Sequence, residues 1–392
     1  MELNLEGMEL LLLISALVAM LVKRLHVPYC VGLVTAGIGL AFLPIKIDVE
    51  LTRELIFNAL LPPLVFEAAL YIRWPELRKD FLVILVLATL GVLLSASLTA
   101  VGMHYLAGWQ WASAAVFGIL ISATDPVSVI ATFKELGTHG RLRLLVETES
   151  LFNDATAAVA FGVALLFATG GGITASAAAA TLFATIIGGL LCGFFVGGGS
   201  LLLAGQTDDS LVEITFTTIA AFGSFFLAEH FHASGVIASL TAGILVGNLG
   251  PLGAFSDKGR PAVLAFWDYI AFVANSLIFI LIGLREAHES FQHVIATAII
   301  ATGLVLLGRA FAVYPCCALF QLTSLSVDVK HQHILVWGGL RGALALALAL
   351  GLPYEVPQRN DIITVSFAVV SFSIFVQGMT IESLVRKLGK NC

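Results

Sequence analysis

The chain has 392 residues, of which 59% are hydrophobic and only 12% charged, and its formal net charge at pH 7 is −6. Soluble proteins carry about 25% charged residues, so this composition excludes an ordinary soluble protein. We expect membrane lipid around the chain and no nucleic-acid partner.

Thirteen apolar segments follow one another along the chain, separated by short polar or Gly/Pro-rich breaks. A helix needs about 20 mostly apolar residues to cross the ~30 Å hydrocarbon core of a membrane. We therefore predict an all-α polytopic membrane protein of about 13 transmembrane helices, with residues 1–392 as a single transmembrane domain and no soluble domain. The predicted segments are 8–22, 28–43, 54–72, 80–106, 112–133, 144–168, 173–204, 210–228, 233–248, 262–284, 293–320, 333–352 and 362–384.

The Lys and Arg residues orient these segments. With the N-terminus outside, fourteen of them fall in inner loops or the C-terminal tail and four in outer loops. Cytoplasmic loops carry such an excess, so we predict that the N-terminus is outside and the C-terminus cytoplasmic. Glu2, Glu6 and Glu9 lie at or before the start of the first apolar segment and basic residues follow it, the reverse of a signal peptide. The short loops favour the cell (inner) membrane of a prokaryote.

The fifth segment contains Thr124-Asp125-Pro126. Proline removes a backbone donor and clashes with the carbonyl one turn earlier, so we expect the helix to break here. Non-helical backbone at membrane depth is tolerated only where it is buried in protein or lines a water-filled cavity. Asp125 and the backbone of Thr124 are therefore predicted ligands of a cation.

The sixth segment contains a polar run at residues 149–154. An ionisable side chain inside a span is costly unless it faces a cavity or a partner. Glu149 and Asn153 are four residues apart, as are Ser150 and Asp154, so each pair shares a helix face. Hard cations prefer oxygen ligands. We predict that Asp154 and Ser150 contact a transported ion.

The twelfth segment contains Arg341 among three glycines and is also predicted to be interrupted. Two interrupted spans in corresponding positions are typical of inverted repeats with a site near the membrane midplane. Segments 1–6 (about 8–168) would mirror segments 8–13 (about 210–384), with segment 7 (about 173–204) as the linker. We expect Arg341 to stabilise the crossed ends of the broken helices.

These motifs, in this order, resemble the sodium/proton exchangers of the first monovalent cation/proton antiporter family, the NhaP-type transporters and their animal relatives. The resemblance covers the whole chain. The residues that carry it are Leu61 to Glu67, Thr124-Asp125-Pro126, Glu149 to Asp154, Ser234 to Ala238 with Gly247-Asn248, Arg309, and Gly338 to Gly342.

The resemblance implies a homodimer in which two broken helices, the fifth and twelfth, cross in a core that moves to give alternating access. It implies that Asp154 carries the ion and that Thr124, Asp125 and Ser150 complete its site. Asn153 would orient the site. Glu149 would pair with Arg309, which we interpret as a structural pair more readily than as a direct participant.

The expected function is exchange of Na⁺, or of Li⁺ or K⁺, for H⁺, with both ions competing for Asp154. Because Asn153 replaces a second acid, we expect a 1:1 exchange that moves no net charge. No cofactor is expected, and the chain is not expected to be an enzyme. Two alternatives stay open: a sodium-coupled symporter, and a membrane-embedded hydrolase that uses Asp125 and Asp154. Glu67 is placed at the cytoplasmic entrance or at a simple helix end, and the sequence assigns no role to Glu213 and Asp268.

Overall fold

The computed structural model describes residues 5–25, 27–44, 49, 51–136, 140–170, 175–289 and 291–388. Within these ranges every regular element is helical, apart from one isolated β-bridge. The helices are α1 Leu5–Leu25, α2 Tyr29–Ala41, α3 Leu55–Leu70, α4 Trp74–Ala107, α5 Trp111–Leu120, α6 Val127–Leu136, α7 Arg141–Ala168, α8 Ala175–Ala204, α9 Ser210–His230, α10 Gly235–Leu249, α11 Gly259–Glu286, α12 Ile295–Ala318, α13 Val329–Trp337, α14 Ala343–Leu350 and α15 Arg359–Leu388.

The all-helical membrane fold predicted from the sequence is confirmed. Among the described residues, eight helices are long and apolar enough to cross a membrane: α4, α7, α8, α9, α10 with the short turn after it, α11, α12 and α15. The count of thirteen spans and the inverted repeat stay predictions. Parts of the predicted organisation lie outside the described residues, namely Glu2, Lys46, Lys390 and the start of the linker segment at 173–174.

The fourth predicted segment begins too late, because α4 starts at Trp74 rather than at residue 80. Pro75 suits the first turn of a helix, where its missing amide has no intrahelical role. The buried Asp80 is then accommodated by Arg141 at the start of α7, whose guanidinium lies 2.7 Å from the carboxylate. The charged residues that marked a loop in the sequence therefore belong to the helix.

Close backbone contact holds α2 against α11. A Cβ atom on Gly37 would overlap the carbonyl of Ile280, and one on Gly283 would overlap the carbonyl of Val34. Small residues let membrane helices approach this closely.

Four of the helices contain a π-helical turn, in which one extra residue is accommodated. Such turns occur frequently at functional sites. They lie in α3, α4, α9 and α15, at Leu55–Leu60, Leu87–Gly91, Ile219–Gly223 and Ser373–Gln377.

Candidate ion-binding site

The two predicted helix breaks are both present, and they meet. One break separates α5 from α6, and the other separates α13 from α14. The amide of Asp125 donates a 2.8 Å hydrogen bond to the carbonyl of Leu340, and these two residues form the antiparallel bridge. Backbone groups freed by one break are thus partly satisfied by the other, as a buried non-helical segment requires.

Thr124 is held from α7. The side-chain oxygen of Asn153 accepts a hydrogen bond from the Thr124 amide (3.0 Å), and its amide nitrogen donates to Thr124 Oγ1 (2.8 Å). Thr124 Oγ1 also lies 3.0 Å from Ser150 Oγ. All three side chains are buried. Asn153 therefore fixes the broken backbone next to the predicted ion ligands.

Asp125 and Asp154 face one cavity of about 470 Å³, together with Thr124. One carboxylate oxygen of Asp125 accepts a 2.9 Å bond from the amide of Val127, one of the first-turn amides of α6 that lack an intrahelical partner. Gly342 leaves space for this carboxylate, since a Cβ atom there would overlap it.

Glu149 and Arg309 form a buried ion pair next to this cavity. Two guanidinium nitrogens of Arg309 each donate to one oxygen of Glu149, both at 2.8 Å. The third guanidinium nitrogen, Nε, donates to the carbonyl of Leu335 in α13 at 3.2 Å, while Glu149 also accepts from Asn153 at 3.2 Å. Bidentate pairs of this kind fix geometry as well as charge, so α7, α12 and α13 are tied together.

Arg341 lies at the crossing and contacts the other broken helix. Its Nη1 donates to the carbonyls of Ser122 (2.9 Å) and Ala123 (3.2 Å). These carbonyls follow the end of α5, where intrahelical donors are absent. The guanidinium thus bonds to backbone carbonyls that the end of α5 leaves free, and the stabilising role of Arg341 stays a prediction.

Two residues near Arg341 were missed in the sequence. The amide of Arg341 donates to Ser373 Oγ at 2.9 Å, and Gln377 Nε2 donates to the carbonyl of Trp337 at 2.9 Å. Both side chains are buried in α15. The available signal was two polar residues four apart in an apolar segment, the same spacing that marked the sixth segment.

The mouth of the cavity is lined by polar groups from several helices. Glu67 of α3 and Tyr71, the residue after that helix, line it together with Glu147 of α7 and Asp268 of α11. Tyr71 donates a 2.7 Å hydrogen bond to Asp268. Glu213 lies elsewhere: it accepts a 3.1 Å bond from the amide of Ser256 in the loop before α11. The structure therefore gives Asp268 a place at the cavity and Glu213 a contact with a loop.

Comparison with known families places this geometry in context. The profile of the family described as "Sodium/hydrogen exchanger, transmembrane" matches residues 10–387. A Na⁺/H⁺ antiporter, ApNhaP of Aphanothece halophytica, is 38% identical over 370 residues, which cover 93% of this chain and 70% of that one. The Na⁺/H⁺ antiporter NhaH of Halobacillus dabanensis is 36% identical over 397 residues, covering 97% and 96% of the two chains.

Solved structures give the same picture of the fold. The sodium proton antiporter MjNhaP1 of Methanocaldococcus jannaschii superposes with a TM-score of 0.80, covering 100% of this chain and 99% of that one at 19% identity. A structure of the same protein at pH 8 superposes with a TM-score of 0.77 at 18% identity. At this identity the likeness concerns the fold alone.

Proposed function

The chain belongs to the sodium/hydrogen exchanger family, and we propose that it exchanges a monovalent cation for H⁺ across the membrane. The resemblance found in its motifs is confirmed, and as a member of an exchanger family it is a transporter rather than an enzyme. Na⁺ is the proposed substrate, because the related antiporters are named for it, with Li⁺ and K⁺ as further candidates. The observation that carries the proposal is the pair Asp125 and Asp154 facing one cavity at the helix crossing.

In the proposed mechanism, Asp154 binds Na⁺ and H⁺ in turn. Asp125, Ser150 and Thr124 supply further oxygen ligands, which a hard cation requires. An empty, ionised carboxylate is costly to bury, whereas a protonated or Na⁺-bound one is close to neutral. Only the occupied site would therefore pass through the closed state, and this condition couples the two fluxes.

The charges around the crossing support a 1:1 exchange. Three carboxylates (Asp125, Glu149 and Asp154) stand against two guanidinium groups (Arg309 and Arg341). With all five ionised, one negative charge is in excess. One Na⁺ or one proton neutralises it, so both loaded forms carry the same charge, and the exchange would be electroneutral.

The number of spans, their repeat, the oligomeric state and the orientation are proposed from the sequence. We propose thirteen spans in two inverted repeats, and assembly as a homodimer. The cavity is lined by Tyr71 and Arg143, which are close in sequence to Arg73 and Arg141 near the ends of helices. If these helix ends are cytoplasmic, this conformation faces inward, with the N-terminus outside, the C-terminus inside and the protein in the cell (inner) membrane. Alternating access would then require the core around α7 to move.

The test is proton flux in proteoliposomes loaded with a pH-sensitive dye. Adding Na⁺, Li⁺ or K⁺ should move protons in the opposite direction in the wild type, and Asp154→Asn should abolish this flux. The matched control is Asp361→Asn, a partly exposed acid at the start of α15, which should leave the flux intact. If no cation elicits a flux in the wild type, the exchange proposal is wrong.

A second measurement addresses the stoichiometry. A membrane potential imposed with K⁺ and valinomycin should leave the turnover rate unchanged, because the loaded forms carry equal charge. Turnover that rises or falls with the potential would contradict the 1:1 exchange without contradicting the exchange itself.

A further inference from the structure

The π turn Ser373–Gln377 in α15 begins and ends with a buried polar side chain. Neither residue is among those described as lining the cavity, and neither is one of the predicted ion ligands. Burying a hydroxyl and an amide in a membrane span is costly unless both are hydrogen-bonded. The hydrogen-bond partners of Ser373 and Gln377 therefore indicate the role of these side chains.

Those partners lie in the break between α13 and α14. Ser373 Oγ accepts the amide of Arg341 at 2.9 Å and donates to Gln377 Oε1 at 2.5 Å. Gln377 Nε2 donates to the carbonyl of Trp337 at 2.9 Å. Trp337 ends α13, and Arg341 lies one residue before Gly342, the last residue of the break. The two side chains thus hold both ends of the break and bind each other.

The segment they hold contacts the ion site directly. Leu340 accepts the amide of Asp125, and Arg341 donates to the carbonyls of Ser122 and Ala123. These contacts flank Thr124 on either side. A displacement of the segment would therefore move the backbone that carries Thr124 and Asp125.

A corresponding arrangement holds the other break. Asn153 in α7, the helix that follows α6, binds the amide and hydroxyl of Thr124. Ser373 and Gln377 lie in α15, the helix that follows α14. Each broken span is thus fixed by polar side chains of the next helix, and in α7 that residue adjoins the predicted ion ligands.

We propose that Ser373 and Gln377 are positioning residues of the cation site. They set the position of the break 338–342 and, through the Leu340 carbonyl, the position of Asp125, without touching the ion. The inference rests on the proposed exchange function. Losing either side chain should weaken cation binding more than it slows transport at saturating cation.

The experiment compares Ser373→Ala with Ser366→Ala in proteoliposomes, measuring the apparent KM for Na⁺ and the maximal rate. Ser366 is a matched control, because it is buried in the same helix and its hydroxyl donates within that helix, to the carbonyl of Ile362. Ser373→Ala should raise KM about tenfold, equivalent to ~1.4 kcal/mol, with a smaller change in the maximal rate. Ser366→Ala should leave both unchanged, and Ser373→Thr, which keeps the hydroxyl, should restore KM.

A second variant, Gln377→Met, removes the bonds to Trp337 and to Ser373 while keeping the side-chain length, and it should raise KM in the same way. An unchanged KM in folded Ser373→Ala and Gln377→Met would overturn the proposal. The proposal would also be overturned if Ser373→Ala and Gln377→Met both fail to fold while Ser373→Thr behaves like the wild type. Ser373 and Gln377 would then contribute to stability alone. Absence of cation-driven proton flux in the wild type would instead contradict the exchange proposal. Failure of the positioning proposal and failure of the exchange proposal are therefore distinguishable.

Discussion

The amide of Asp125 is bonded to the carbonyl of Leu340, 2.8 Å away in the other broken span. Asp125 is predicted to bind the ion from the fifth span. A backbone bond to the twelfth span therefore fixes its position. Any change that moves the segment 338–342 should also move the carboxylate of Asp125, even though that segment supplies no predicted ligand.

Gly342→Ala should reduce the apparent affinity for Na⁺ by an order of magnitude or more. The new methyl group would overlap the Asp125 carboxylate and force it away from the cavity. Steady-state flux at varied Na⁺ measures the effect. The control is Gly162→Ala in α7, where a Cβ atom meets nothing within 4 Å. Equal behaviour of the two variants would show that the position of Asp125 is unimportant for binding.

Arg309→Met should destabilise the protein strongly. It leaves Glu149 buried without its counter-charge, and breaking a buried pair in this way costs about 3–5 kcal/mol. The thermal midpoint in detergent should fall clearly, and adding Glu149→Gln should recover part of the loss. The exposed pair Arg386–Glu382 offers the comparison, since removing such a pair costs about 0–1 kcal/mol. A loss for Arg309→Met no larger than for Arg386→Met would contradict a structural role.

Asn153→Ala should impair both stability and cation binding. It removes the side-chain partner of the Thr124 amide and one of the two partners of the Thr124 hydroxyl, and a buried polar group left unsatisfied costs about 1–3 kcal/mol. Thermal unfolding and the Na⁺ dependence of flux measure the two effects. Thr156→Ala is the control in the same helix, since its hydroxyl bonds to its own helix at Phe152. An Asn153→Ala protein with normal Na⁺ dependence would exclude a positioning role.

Na⁺ should stabilise the folded wild type. A ligand that binds only the native state adds about 2.7 kcal/mol at a concentration of 100 Kd, which should raise the thermal midpoint. Asp154→Asn should lose this Na⁺-dependent rise, and lowering the pH should compete with it in the wild type, because protons occupy the same carboxylate. A rise that persists in Asp154→Asn would place the ion elsewhere.

Much of the site could be predicted from residue chemistry. Pro126 marked the first break, and the glycines around Arg341 marked the second, because each residue type weakens a helix locally. The four-residue spacing of Glu149 and Asn153 placed both on one face of α7. Ionisable groups in apolar segments were conspicuous because a membrane offers no water to solvate them.

The features that could not be predicted from the sequence depend on contacts between segments that are distant along the chain. Asn153 was expected to orient the site, but its bonds to the backbone and hydroxyl of Thr124 depend on how α7 packs against the break. The four-residue spacing of Ser373 and Gln377 was visible in the sequence, but their partners lie about 30 to 40 residues earlier. The early start of α4 was hidden because Asp80 is stabilised by Arg141, 61 residues away.

The π turn in α15 also keeps the helix in phase. Ser366, Val370, Gln377, Ile381 and Val385 are all buried, and Val385 lies nineteen positions after Ser366. Five ideal turns advance the chain by about 18 positions, and the π turn accommodates one more. Deleting one residue there would rotate the end of α15 by about 100° and carry Ile381 and Val385 out of the core. An insertion or deletion at this turn therefore changes which face of the last helix is inward, although the helix itself stays intact.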